Sequence, residues 1–238
     1  MTRPMGMLFL LLLAGCSGNA VKVARIPAIP EIPSYRPYTN AYKSEFDYFR
    51  LSDKKSFPQT NAILFTGSSS IRMWFTLSND MAPLPVLNRG FGGAQVADTV
   101  YYFDSVVAQY RPGLIVYYCG GNDIAAGKKG KTVFAHFRVF LQRVESNLPG
   151  TKVCFLSYQT APVRVSDAAE TAEYNRMAQE LAATDTNLLY FDLLPATTGP
   201  GGALKPEIWS ADRLHMNQKG YALWTEALKP YLTGLWGK

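Results

Sequence analysis

The stretch Ala62–Trp74, AILFTGSSSIRMW, decides how this chain is read. Apolar Ala62–Phe65 leads to Gly67, three serines follow, and Ile71, Met73, Trp74 and Phe75 restore apolar character. Such a run predicts a buried strand, a tight turn at a glycine and the start of a helix. A serine in that turn sits at the carboxyl end of a strand, where open α/β sheets hold their ligands. It also sits near a helix N-terminus, whose free N–H groups and dipole favour developing negative charge. The serines would serve equally well as a plain capping turn, because Ser is a common N-cap. Residues far along the chain bear on that choice.

Outward from this stretch the pattern repeats. Before it, Ala41–Leu51 places Tyr42, Phe46 and Phe49 at helical spacing. After it, Val86–Asn88 predicts a short strand, followed by Arg89-Gly90-Phe91-Gly92-Gly93. Val96–Tyr110 reads as a helix with Val100, Phe103, Val107 and Tyr110 on one face. Leu114–Cys119 is an all-apolar strand of the kind found inside parallel sheets, and it stops at Gly120-Gly121-Asn122-Asp123. Thr132–Leu148 is a helix with the stripe Val133, Phe137, Phe140, Val144 and Leu148, ended by Pro149-Gly150. Lys152–Tyr158 is the next strand. Asp167 begins another helix, with Glu170 placed for a capping box. Leu188–Asp192 is the last strand. A Gly/Pro loop, Thr197–Pro206, leads to Asp212-Arg213-Leu214-His215, and Asn217 caps a final helix carrying Leu223, Trp224, Ala227 and Tyr231. The alternation predicts an α/β fold: a five-stranded parallel sheet between two helical layers, in one domain over 41–238.

Composition bounds the rest. The 238 residues and a hydrophobic fraction of 47% suit one α/β domain with additional terminal sequence. The net charge of +6 is spread along the chain, with Lys128, Lys129 and Lys131 the densest cluster. No basic run has the length of a nucleic-acid footprint, so nucleic acid is excluded as an expected partner. A mild attraction to anionic glycans or lipids stays open. Arg3 precedes the apolar run Met7–Leu13, too short to span a membrane and right for a signal peptide. That run passes into Leu13-Ala14-Gly15-Cys16, which resembles the bacterial lipoprotein box. The resemblance implies a signal peptide over 1–15, lipidation of Cys16 and a membrane anchor without a spanning helix. Ser17 at the following position resembles outer-membrane sorting, which implies an envelope location facing the periplasm. Residues 16–40, with Pro27, Pro30, Pro33 and Pro37, read either as an extended tether or as a strap along the domain. Cys119 and Cys154 fall at different heights of their strands and are expected to be reduced, buried thiols. Nothing in the sequence sets the oligomeric state.

Each polar or glycine-rich motif follows a predicted strand or lies in the last loop, so all converge on one sheet edge. His136 lies inside a helix stripe and reads as structural. His215 lies three residues after Asp212, close enough for the carboxylate to orient the ring. A serine hydroxyl needs such a base, and the base needs a group to hold it. Gly92-Gly93 can present an unobstructed backbone N–H, and Asn122 a side-chain amide, as donors to an oxyanion.

The blocks FTGSSS, NRGFGG, GGND and DRLHMN, in that order, resemble the four conserved blocks of the SGNH/GDSL hydrolase family. The resemblance covers about Pro58 to Leu232. It implies a flavodoxin-like α/β/α sandwich and a serine esterase mechanism without metal or cofactor. It implies Ser69 as nucleophile, Asp212 and His215 as its partners, and Ser69 N–H, Gly93 N–H and Asn122 as oxyanion donors. Ser68 stands where the family has aspartate, which leaves the choice among Ser68, Ser69 and Ser70 open. Arg213 occupies a position that is often small in relatives. The expected substrate is a short acyl ester, such as an O-acetyl group on a glycan or small molecule, with Trp74, Trp209 and Tyr158 around the acyl group. A lysophospholipid substrate, acyl transfer to another hydroxyl, and a non-catalytic glycan- or partner-binding role are the alternatives.

Overall fold

The structure, a computed structural model, describes residues 41–236. The expected signal peptide, the lipidation site Cys16 and the segment 16–40 lie outside the described residues. Five strands, β1 (Ile63–Gly67), β2 (Val86–Gly90), β3 (Leu114–Tyr118), β4 (Lys152–Leu156) and β5 (Leu188–Phe191), form one sheet. All pairings are parallel and the order is β2-β1-β3-β4-β5, that of flavodoxin-like doubly wound sheets.

Among the described residues ten α-helices connect and cover the sheet. They are α1 (Lys43–Lys55), α2 (Ser69–Arg72), α3 (Leu77–Met81), α4 (Val96–Tyr101), α5 (Phe103–Val106), α6 (Gly121–Ala125), α7 (Gly130–Asn147), α8 (Ala168–Ala182), α9 (Leu194–Thr197) and α10 (Gln218–Trp236). Strand side chains alternate between two faces, and each face has its own core. On one, Leu64, Ile115, Tyr117 and Phe155 pack against α1, α4, α5, α7 and α8. On the other, Phe65, Val116, Tyr118 and Leu156 pack against α2, α3 and α10. Cys119 belongs to the first core and Cys154 to the second, so both are free, buried thiols on opposite faces, as expected. Among the described residues no helix is long and apolar enough to cross a membrane.

Four sequence expectations are corrected. The helix expected over Val96–Tyr110 breaks at Tyr102 (φ −90°, ψ 14°) and again at Val107 (φ −131°, ψ −65°). Tyr102 packs on Tyr42 and Phe46 while Phe103 turns onto Phe140, so two aromatic clusters pull the segment apart. The capping box at Asp167 does not form. Glu170 instead accepts the N–H of Gly130 (2.8 Å) and the ammonium of Lys129 (2.8 Å), capping α7 from a distance. The buried face of α10 is Tyr221, Trp224, Leu228 and Leu232, rotated from the expected stripe. Trp74, Trp209 and Tyr158, expected around the acyl group, are buried in the core: Trp74 stacks on Tyr221 and meets Phe65 and Trp224 edge-on. Asn217 does cap α10, its Oδ1 accepting the N–H groups of Lys219 (2.8 Å) and Gly220 (3.3 Å).

Candidate active site

Three strands end level with one another. Gly67 pairs with Gly90 on one side and with Tyr118 on the other, so β1, β2 and β3 finish at one edge. This is where strand order reverses and where such sheets open a crevice. Ser69, Gly93 and Asn122 follow these three strands by two to four residues.

Ser69 is brought into place by a sharp exit from β1. Gly67 has φ +135°, and a Cβ there would lie 2.0 Å from the Tyr118 carbonyl oxygen. Only glycine permits that approach. Ser68 then donates its N–H to Tyr118 O (3.1 Å), its residue is buried, and Ser69 opens α2. The helix is fixed from both sides. Tyr221 donates to Ser70 O (2.8 Å) and Asn88 Nδ2 to Ile71 O (2.6 Å).

The loop before α10 supplies the base. His215 Nε2 lies 2.8 Å from Ser69 Oγ, and His215 Nδ1 lies 2.7 Å from Asp212 Oδ2. Asp212 Oδ1 also accepts the N–H groups of Leu214 (2.9 Å) and His215 (3.0 Å). The His215 N–H is the main reason the Asp212 carboxyl is held down, to about 2. The loop is closed by Ser210 N–H to His215 O (2.8 Å) and by the bridge between Trp209 and Met216. Arg213, at φ +55°, is exposed. Neither Ser68 nor Ser70 meets the imidazole; among the three serines Ser69 alone does.

The expected donors stand at the same edge. Gly93 has φ +78°, and its position opens into free space. Among the described residues the N–H groups of Ser69 and Gly93 have no acceptor in the protein. Asn122 Nδ2 donates one hydrogen to Ala94 O (3.0 Å), leaving its second available. Behind these groups lies a buried network. Asp123 accepts the N–H of Val96 (2.8 Å) and the ammonium of Lys128 (2.7 Å), and Lys128 also donates to Gln95 Oε1 (2.7 Å). Burial raises the Asp123 carboxyl, and the Lys128 charge opposes that rise. His136 sits in α7, half-buried, with burial lowering its pKa and with no contact to Ser69.

The sequence reading missed Arg164. It follows β4 in a short 3-10 segment, Pro162–Asp167, and its Nη2 donates to Asn122 Oδ1 (3.1 Å). No motif marks it; an isolated arginine in a strand-end loop at the ligand edge is the only cue. Among the described residues, two surface cavities have linings without Ser69 or His215. The larger, about 770 Å³ between α7 and α8, is lined by Phe134, Leu141, Met177 and Leu181 and contains no serine or histidine.

Comparison with known proteins agrees with the fold. Solved structures that superpose on it include a Streptococcus pneumonia protein provisionally described as a platelet activating factor. That pair is 22% identical with a TM-score of 0.73, covering 82% of this chain and 94% of that one. A GDSL-like lipase from Bacteroides thetaiotaomicron is 18% identical with a TM-score of 0.65, over 80% and 99% of the two chains. A carbohydrate esterase family 3 protein from Talaromyces cellulolyticus is 16% identical with a TM-score of 0.60, over 75% and 99%. A comparison with curated protein sequences gave no match. The model of the GDSL-like lipase/acylhydrolase family matches residues 65–223, more than half of the sequence and every block described above. The chain therefore belongs to the GDSL-like lipase/acylhydrolase family.

Proposed function

We propose that this protein is a serine carboxylic ester hydrolase that removes short acyl groups, O-acetyl above all, from glycans or small molecules of the cell envelope. The observation that carries the reading is the 2.8 Å contact between His215 Nε2 and Ser69 Oγ, with Asp212 on the far side of the ring. Asp212 accepts the Nδ1 hydrogen, which leaves the Nε2 lone pair facing the serine hydroxyl. Nε2 takes the proton as Ser69 Oγ bonds to the ester carbonyl carbon. The carbonyl oxygen becomes an oxyanion and is met by the N–H groups of Ser69 and Gly93 and by Asn122. Each such donor contributes about 3 kcal/mol to lowering the barrier. The tetrahedral species collapses, the C–O bond breaks, and His215 gives its proton to the leaving alcohol. Water, activated by the same imidazole, then releases the acid and regenerates the serine.

The preference for short acyl groups is supported by the packing. The aromatic residues nearest the site in sequence, Trp74, Tyr158 and Trp209, are buried in the core rather than arrayed for a long chain. Envelope location rests on the Leu13–Cys16 motif alone, and it makes a lysophospholipid the competing substrate. Hydrolysis of p-nitrophenyl esters tests both points. Wild-type protein should cleave the acetate ester, Ser69→Ala should lose at least about 10³-fold in kcat, and a fluorophosphonate should label Ser69. Equal rates in the two proteins would overturn the reading. A rate that climbs with acyl length, by the 0.8 kcal/mol or so that each buried methylene contributes, would move the substrate to lysophospholipids.

A further inference from the structure

We infer that Arg164 is a positioning residue for the oxyanion site: it locks the orientation of the Asn122 amide and strengthens the donor it presents. The inference rests on the proposed role of Asn122 and deepens it. It starts from the partners of that amide. On one side Asn122 meets the Ala94 carbonyl oxygen at 3.0 Å, which can only accept. On the other it meets the Arg164 guanidinium at 3.1 Å, which can only donate. An amide turned over would face oxygen to oxygen on the first side and N–H to N–H on the second. The amide therefore has one orientation, with Nδ2 toward Ala94 and the reaction edge. Ala94 alone would not hold it firmly, because its carbonyl is shared with the Cys119 thiol (3.4 Å).

The guanidinium adds charge to geometry. A hydrogen bond from a cation to an amide oxygen is stronger than a neutral one, and it draws electron density toward that oxygen. The Nδ2–H group becomes a better donor at the moment negative charge develops on the substrate. Arg164 is itself well anchored. Its N–H bonds Ala161 O (2.8 Å), and the neighbouring Val163 N–H reaches Arg213 O (3.3 Å) in the loop that carries His215. Its positive charge also opposes the rise that burial imposes on the Tyr158 hydroxyl. Tyr158 in turn stacks on Tyr118 (4.8 Å) and is pinned through its backbone by Asn175, 2.8 Å and 2.9 Å. One short segment thus spans both the donor side and the base side of the site.

The test is a double-mutant cycle on p-nitrophenyl acetate hydrolysis. Arg164→Met keeps length and removes charge and donors. It should lower kcat about tenfold, a fraction of the loss from deleting a donor outright, and leave KM within about twofold. Arg164→Lys should recover part of the loss. In an Asn122→Ala background, Arg164→Met should change kcat by less than about twofold, because the group it positions is gone. Arg164→Gln repeats the cycle should the methionine variant fold poorly, and thermal melting separates the two cases. A tenfold loss that persists without Asn122, an unchanged kcat in Arg164→Met, or a loss confined to KM would each overturn the inference. Full activity in Asn122→Ala would show instead that the underlying reading of the oxyanion site had failed.

Discussion

On the donor side of the site, Asp123 is wholly buried and ties Val96, Lys128 and, through Lys128, Gln95 into one network beneath Gly93 and Asn122. On the base side, Asp212 has 48% of its side chain in solvent, and its carboxylate bonds only residues two and three positions on. The difference follows from what each side does. Donors work only if they already point at a charge that does not yet exist, so they are backed by a buried network. A base must receive and return a proton, and it needs only to be aimed.

That contrast predicts separable losses. The largest falls on the base side: His215→Ala should reduce kcat by about 10⁴-fold while melting close to wild type. Asp212→Asn should follow at about 10³-fold, because Asn donates to Nδ1 and favours the wrong tautomer. Its stability should fall by less than about 1 kcal/mol, since the pair with His215 is solvent-screened. Asp123→Ala should do the reverse in kind, costing about 3 kcal/mol in urea unfolding by stranding Lys128 and the Val96 N–H. If Asp212→Asn proved the more destabilising of the two, the comparison would break.

A pH profile sharpens it further. Asp212, held to about 2, stays ionised throughout the range where the fold can be assayed. The imidazole must be neutral to accept the serine proton. The logarithm of kcat/KM should therefore rise with pH on the acid side with a slope of about one. A slope of two would mean that a second proton must leave before the reaction. The smallest effect belongs to Arg213, exposed and at φ +55°. Arg213→Gly should relieve backbone strain, shift stability by no more than about 0.5 kcal/mol, and leave kcat within about twofold.

Strands and motif positions were legible because each is written locally: an apolar run ended by Gly67, by Gly90 or by Gly120 is a strand meeting a turn. The convergence of Ser69, Asn122 and His215 was legible because parallel strands place all their carboxyl ends together. What escaped was set by distant partners. Glu170 looks like the cap of its own helix and serves another forty residues away. Tyr102 and Phe103 continue a helical pattern, yet aromatic rings on two other elements draw them apart. Trp74 looked available for a substrate because its burial depends on Tyr221 and Trp224. Arg164 was invisible for the same reason, since its partner Asn122 lies 42 positions earlier.

The two unpaired thiols give the molecule a clock. Burial pushes Cys154 up to about 12 and Cys119 well above its ordinary range, each sealed under a different helical layer. An alkylating reagent at neutral pH reaches Cys154 only when one layer lifts and Cys119 only when the other does. In a Cys16→Ser protein, separate modification rates for the two would time the opening of the layers one by one, and a shared rate would mark a fold that comes apart in a single event.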